Sequence, residues 1–218
     1  MRKYQPISAL LACLSGVFCM QNVFADPNHP HQPYLLSIKL APAFCVLNPE
    51  RQKTKQCQEG YAIIVHGLWK EKNVVKEESP CTEQPPELSP VQQQVLERIM
   101  PDEEMRNKAW QRYGACTGMS AQEYFRVIMN YANKLRLPNI FKEESRDDRS
   151  FDQEYLVQEI QKININLPEK GFYLRCQTKQ DKTFLTEVRV CYDKLGQFAE
   201  CKAYQPNCPQ LVTLRAVK

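Results

Sequence analysis

His66 stands in the run Tyr61-Ala62-Ile63-Ile64-Val65-His66-Gly67-Leu68-Trp69, while the chain's other two histidines, His29 and His31, fall in a proline-rich stretch near the N-terminus. An imidazole titrates near neutrality, so it can take or give a proton at ordinary pH. A lone histidine at a strand end is more often a hydrogen-bonded structural residue than a catalyst. The tetrapeptide His66-Gly67-Leu68-Trp69 is more specific than that. Gly67 admits close approach of a backbone or ligand, and Trp69 offers a flat face on which a ring can stack, its alternative role being core packing.

Strands and helices must position these residues. Tyr34, Leu36, Ile38 and Leu40 alternate along one face, as in a strand. Tyr61 to Val65 reads as a continuous apolar strand, central and covered on both faces, that ends by presenting His66. Asn73 to Pro90 is polar and proline-containing and reads as a loop. Val91, Val95 and Ile99 recur at helical spacing before Pro101. Ser120-Ala-Gln-Glu123 is a capping box ahead of the apolar stripe Tyr124, Phe125, Ile128, Met129, Ala132 and Leu135. Ser150-Phe-Asp-Gln153 repeats that device ahead of Leu156, Ile160 and Ile163. Phe172 to Cys176 and Phe184 to Tyr192 return to β-branched and aromatic strands. Strand–helix–strand segregation predicts an α+β fold: a single domain with a central antiparallel sheet and flanking helices.

At 218 residues the chain can bury a substantial core. Arg2 and Lys3 followed by the apolar stretch Ile7 to Phe24, with Ala25 before Asp26, predict a cleaved signal peptide over residues 1–25. Residues 26–33 read as a mobile lead-in and 34–218 as the domain proper. No later stretch is apolar enough to span a bilayer, so no membrane association is expected. Of ten cysteines, Cys13 and Cys19 lie in the predicted signal. The remaining even set, Cys45, Cys57, Cys81, Cys116, Cys176, Cys191, Cys201 and Cys208, predicts disulfides and an extracytoplasmic destination, periplasmic or secreted. No Cys-x-x-Cys pair occurs and no histidine lies near a cysteine cluster, so no metal or other cofactor is expected. The net charge is +4, of which Arg2 and Lys3 supply half, too mild to argue for nucleic-acid binding by itself.

His66-Gly67-Leu68-Trp69 resembles the first active-site segment of the T2 ribonucleases, with Lys70 where proline is usual. Lys108-Ala109-Trp110-Gln111-Arg112-Tyr113-Gly114-Ala115-Cys116 is similar to the second, keeping Trp110, Gly114 and Cys116. Tyr34 to Cys45, Ala121 to Phe125 and Leu185 to Val188 resemble further segments, with Ala41 at a usual tryptophan. The resemblance implies the pairs Cys45–Cys57, Cys81–Cys116, Cys176–Cys208 and Cys191–Cys201.

The resemblance also implies metal-free RNA cleavage through a 2′,3′-cyclic phosphate. Two imidazoles serve as acid and base, while a glutamic acid and a lysine stabilise the phosphorane. Here Tyr113 replaces the second histidine, Ala109 the glutamate, Arg112 the lysine and Lys108 a further, less strictly required histidine. A guanidinium can still clamp phosphate oxygens. Alanine moves no proton, and an unperturbed tyrosine, with pKa of about 10, is a poor base at neutral pH. His66, Arg112, Tyr113 and Lys108 are therefore the candidate catalytic residues. Trp69, Glu71 and Trp110 are the candidate substrate-binding residues, Trp69 stacking on a base and Glu71 hydrogen-bonding it unless it is a plain surface glutamate. The expected function is RNA binding and endonucleolytic cleavage by a monomer, with RNA or a nucleotide as partner and activity weakened or lost. The alternative is an inactive protein of the same fold that binds RNA, a nucleotide or a protein partner.

Overall fold

The computed structural model describes residues 34–71 and 79–217. The predicted signal peptide and lead-in, and most of the first half of the Asn73–Pro90 loop, lie outside the described residues. Strand β1 (Tyr34–Leu40) pairs antiparallel with β2 (Ile63–Lys70) on one side and with β5 (Lys182–Tyr192) on the other. β4 (Phe172–Lys179) pairs with the second edge of β5, and β6 (Leu211–Leu214) joins β5 in parallel through Phe184 and Thr213 before pairing with β3 (Arg149–Asp152). The sheet order is β2-β1-β5-β6-β3, with β4 off this path, and the architecture is the expected α+β single domain.

Alternation in β1 sets the two faces. Leu36, Ile38 and Leu40 enter the main core with Tyr124, Phe125 and Ile128 of α5 (Ala121–Lys134) and Leu156 and Ile160 of α6 (Gln153–Ile163). On the opposite face Leu35 joins Trp69, Tyr173, Cys191 and Cys201 in a smaller cluster. Ser37 is also fully buried, so both faces of β1 are covered.

The apolar run ahead of His66 was expected to be a central strand, but β2 is an edge strand. Its continuous hydrophobicity has another cause: the outer edge is covered. The Val65 N–H donates to the Ile99 carbonyl at 2.7 Å. Further along, the Tyr124 hydroxyl donates to the Leu68 carbonyl at 2.7 Å and accepts the Leu68 N–H at 3.3 Å. His66 is also not at the strand's end but within it.

Local signals hold unevenly. The capping box Ser120–Glu123 is present, and a second one, Ser89–Gln92, starts α3 (Pro90–Glu97). Val91 and Val95 are exposed, however; Leu96 and Met100 are fully buried and Ile99 packs partly buried against the same core, so the docked stripe is shifted from the one that the spacing implied. The expected box at Ser150–Gln153 is absent. Ser150 pairs within β3 instead, and Asp152 alone caps α6, accepting the Glu154 N–H at 2.8 Å.

The disulfides are Cys45–Cys57, Cys81–Cys116, Cys176–Cys208 and Cys191–Cys201, the pairing that the resemblance implied. No helix among the described residues is long and apolar enough to cross a membrane.

Tyr124→Phe removes the one hydroxyl that satisfies both backbone groups of Leu68, at a position with no access to water. The expected loss is about 1–3 kcal/mol of unfolding free energy, measured by urea denaturation, with faster exchange of the Leu68 amide.

Candidate functional site

Ser37 pairs with Gly67 and Ile38 with Val65, which leaves His66 unpaired between them. His66 is the extra residue of a β-bulge, a device that re-aims a side chain out of the regular alternation. Its ring meets Trp69 edge-on, with centroids 5.9 Å apart. Its Nδ1 is buried without a hydrogen-bond partner among the described residues.

Facing the bulge is the second segment. α4 (Glu103–Ala109) runs into a π-helical turn, Trp110–Gly114. The wide turn re-phases the chain, and Gly114 lets it close: a Cβ there would sit 2.5 Å from Trp110 and 2.7 Å from Tyr124. The result is a cavity of about 310 Å³ between the two segments. His66, Lys108, Arg112 and Tyr113 all line it. Lys39, Phe44 and Asn48 of β1 and α1 (Ala41–Leu47) form another wall, and Arg51, Thr54 and Gln56 continue it into α2 (Lys55–Gln58). Asp102, Glu104, Met105 and Ala109 complete the α4 side, and Glu50 adds a carboxylate beside Arg51.

The candidate substrate-binding residues sit elsewhere. Trp69 is 5% exposed, with Tyr113 packed on its ring at 5.0 Å and the Arg189 guanidinium 5.7 Å from its centre. Glu71 is 3% exposed, so it is not a surface glutamate; its Oε1 accepts the Ala203 N–H. Trp110 packs against Tyr124 with centroids 6.1 Å apart. None of the three lines the cavity.

Charge is unevenly spent around the cavity. Glu104 bridges Arg51 and Lys108, each at 2.6 Å, and these two cations hold its carboxyl down to about 2. Among the described residues Lys39 and Arg112 form no ion pair. Behind Lys39, the Glu187 carboxylate accepts from Arg189 Nε at 2.7 Å and from the Ser37 hydroxyl at 3.2 Å. Burial pushes Glu187 up, yet Arg189, His66 and Lys39 outweigh it and keep its pKa below the usual carboxylate range. Burial first, then Lys39 and Arg189 against the opposing pull of Glu187, push His66 down to about 3. Its imidazole is therefore neutral at any ordinary pH: an acceptor, not an acid.

Sequence reasoning missed Lys39, Glu187 and Arg189. The available signal was a charged residue interrupting an apolar strand, Lys39 in Tyr34–Leu40, and two more alternating with Val188 and Val190.

The sequence model of the ribonuclease T2 family matches residues 32–201. The chain belongs to the ribonuclease T2 family. A probable ribonuclease of Haemophilus influenzae is 27% identical over 187 residues, covering 80% of this chain and 62% of the relative. The chain thus spans under two thirds of that relative's length. A ribonuclease of Aeromonas hydrophila is 22% identical over 194 residues, 81% of each chain. In shape the chain resembles a mutant of ribonuclease MC1 crystallised with 5′-UMP, at a TM-score of 0.63 and 15% identity, covering 84% of this chain and 97% of that one. That likeness concerns the fold alone. His66 and the π turn lie in the two segments whose sequences resemble the family's, and both line one cavity.

The depressed His66 pKa makes a stability prediction. Above pH 6.5 the imidazole is neutral folded and unfolded. Between 6.5 and about 3 the unfolded chain binds a proton that the folded chain does not. Stability therefore falls with pH through that window. Discounted for partial exposure, the effect is on the order of 2–4 kcal/mol. His66→Gln removes this part of the acid sensitivity, so the difference between the two proteins' urea midpoints should shrink or reverse from pH 7 to pH 4.

Proposed function

We propose that this protein is an exported, RNA-binding member of the T2 family that cleaves RNA weakly, through a 2′,3′-cyclic phosphate. The observation that carries the reading is the cavity: a neutral imidazole in a bulge facing unpaired cations, on a fold whose named relatives are ribonucleases. In this reading His66 accepts the proton of the ribose 2′-OH. Arg112 holds the phosphate through its planar fork, and Lys108, bridged to Glu104, lies on the same wall. Tyr113 closes the wall. Trp69 and Glu71, both buried, and Trp110, packed on Tyr124, shape the site from behind instead of touching substrate. The domain is residues 34–218 and acts as a monomer. A leader over residues 1–25 and four disulfides support an oxidising, extracytoplasmic compartment.

Turnover is weak on two counts. The second histidine is Tyr113, and loss of one acid–base partner costs about a hundred- to ten-thousand-fold. A base whose conjugate acid has a pKa of about 3 is also a feeble proton acceptor until an anion sits beside it. The same value favours a second reading, binding without turnover.

One experiment separates them. The purified oxidised protein and His66→Ala are incubated with single-stranded RNA at high enzyme concentration from pH 5 to 8, and the products are examined for 2′,3′-cyclic ends. Cyclic-ended products that vanish in the variant establish cleavage. Equal, background-level products with retained 5′-UMP binding establish the second reading. Neither binding nor cleavage defeats both.

A further inference from the structure

We propose that Arg51 and Lys108 form a second phosphate subsite in the cavity, which the Glu104 carboxylate fills in the free protein and a phosphate group of a bound RNA chain takes over. This rests on the function proposed above, in which Arg112 holds one phosphate, and adds a place for a neighbouring one. The geometry is that of an anion between two cations. Glu104 Oε2 accepts from Arg51 Nη1 and Oε1 accepts from Lys108 Nζ, each at 2.6 Å, so each oxygen serves one cation. Two oxygens of a phosphate can repeat that arrangement, with a guanidinium and an ammonium as charge-assisted donors.

The two cations are held in place without the carboxylate. Arg51 ends the turn Pro49–Arg51, inside the loop that the Cys45–Cys57 disulfide closes. Its N–H donates to the Asn48 carbonyl at 2.9 Å, and its carbonyl accepts the Thr54 N–H at 3.0 Å and the Thr54 hydroxyl at 2.8 Å. The Lys55 N–H then donates to Asp102 Oδ1 at 2.7 Å, tying this loop to the start of α4. None of these contacts involves Glu104, so Arg51 still faces Lys108 when the carboxylate swings out to water. Lys108 lies in the last turn of α4, four residues before Arg112, and both line the cavity with His66. A strand held at Arg112 thus has the Lys108–Arg51 pair further along the same wall.

The carboxylate is also readily displaced. The Arg51, Glu104 and Lys108 side chains are 35%, 56% and 47% exposed, and ion pairs so open to water are weak and screened by salt. Among the described residues no other carboxylate lies within 4 Å of either cation, although Glu50 and Asp102 act on Arg51 from further off. Entry of a phosphate exchanges one anion for another, and no covalent step is involved. A phosphate tethered to one already held on Arg112 arrives at high effective concentration, so a chain displaces Glu104 where a free phosphate does not.

The test is one of binding. A 2′-deoxyuridine tetranucleotide lacks the 2′-hydroxyl and cannot be cleaved; inorganic phosphate and 5′-UMP are the other probes. Glu104→Gln is compared with Glu103→Gln, the same charge change at an exposed position of the same helix outside the cavity lining. Glu104→Gln should bind the tetranucleotide about tenfold more tightly at low salt, with a log–log salt dependence steeper by about 0.7. Glu103→Gln should stay within about twofold of wild type. Adding Arg51→Gln to Glu104→Gln should cancel the gain; Lys108→Gln takes its place if circular dichroism shows the first double variant unfolded. A gain for the tetranucleotide well above that for inorganic phosphate supports the chain phosphate, and a gain for inorganic phosphate alone overturns it in favour of a free-anion site. Equal gains in Glu104→Gln and Glu103→Gln overturn the proposal, because net charge then explains them. No gain, or a gain that survives removal of Arg51 or Lys108, overturns it too. If wild type binds 5′-UMP while Glu104→Gln gains nothing, the proposal fails and the functional reading stands. Protein that binds none of the probes in any form takes the functional reading down as well.

Discussion

One hydroxyl ties the two cavity-lining segments together. Tyr124 is fully buried, bonded to both backbone groups of Leu68, and its oxygen lies 3.3 Å from the Ala109 carbonyl. A buried phenol left unbonded is costly, and so are the outward-facing backbone groups of an edge strand. One ring meets both demands, and in doing so it fixes β2 against the end of α4. Phe125 packs edge-on against it at 5.1 Å, Trp110 lies over it, and Gly114 leaves no Cβ to push it away. The separation between His66 and the π turn, and hence the cavity, follows from this contact.

The second constraint is electrostatic. Ser37 and Lys39 of β1 and Glu187 and Arg189 of β5 form a row across the sheet beside His66. A buried carboxylate between two cations is weak evidence for stability, since desolvation offsets much of the attraction. Its effect on the site is clearer. Burial first, and then the two cations of the row against its one carboxylate, keep His66 unprotonated. In the proposed function, a phosphate entering the cavity beside Lys39 would offset that lysine's effect on His66 and make the imidazole a stronger base. Recognition and activation then share one cause.

Most of the framework was legible locally. Tyr34–Leu40, Phe184–Tyr192 and the Ser120 box are determined by short-range pattern, and the structure has each of them. What escaped depended on distant partners. The bulge at His66 is a property of pairing with Ser37 and Ile38, invisible in β2 alone. The edge position of β2 was hidden because Ile99 and Tyr124 cover it, so a strand with one sheet neighbour reads as a central one. Ser150 looked like a cap until β6 offered it a ladder partner. Lys39 was passed over because a lysine in a strand is ordinarily a solvated head on an apolar stem; only the adjoining Glu187 and Arg189 show otherwise.

Trp69 and Glu71 illustrate the same point and bear on specificity. An aromatic face and a carboxylate together can hold a nucleobase, one by stacking and the other by accepting an N–H. In this chain Tyr113 lies on the indole and the Ala203 N–H meets Glu71 Oε1, while Glu71 Oε2 is buried without a hydrogen-bond partner among the described residues. The Cys191–Cys201 disulfide anchors the segment that brings Ala203 there. A base arriving at this pair would have to displace the packed Tyr113 ring before it could stack on the indole. The proposed function therefore rests recognition on the phosphate, which meets cations, and not on the base, whose stacking face is covered by Tyr113. A site of this kind discriminates poorly among sequences and should bind single-stranded RNA with an affinity that falls steeply as salt rises.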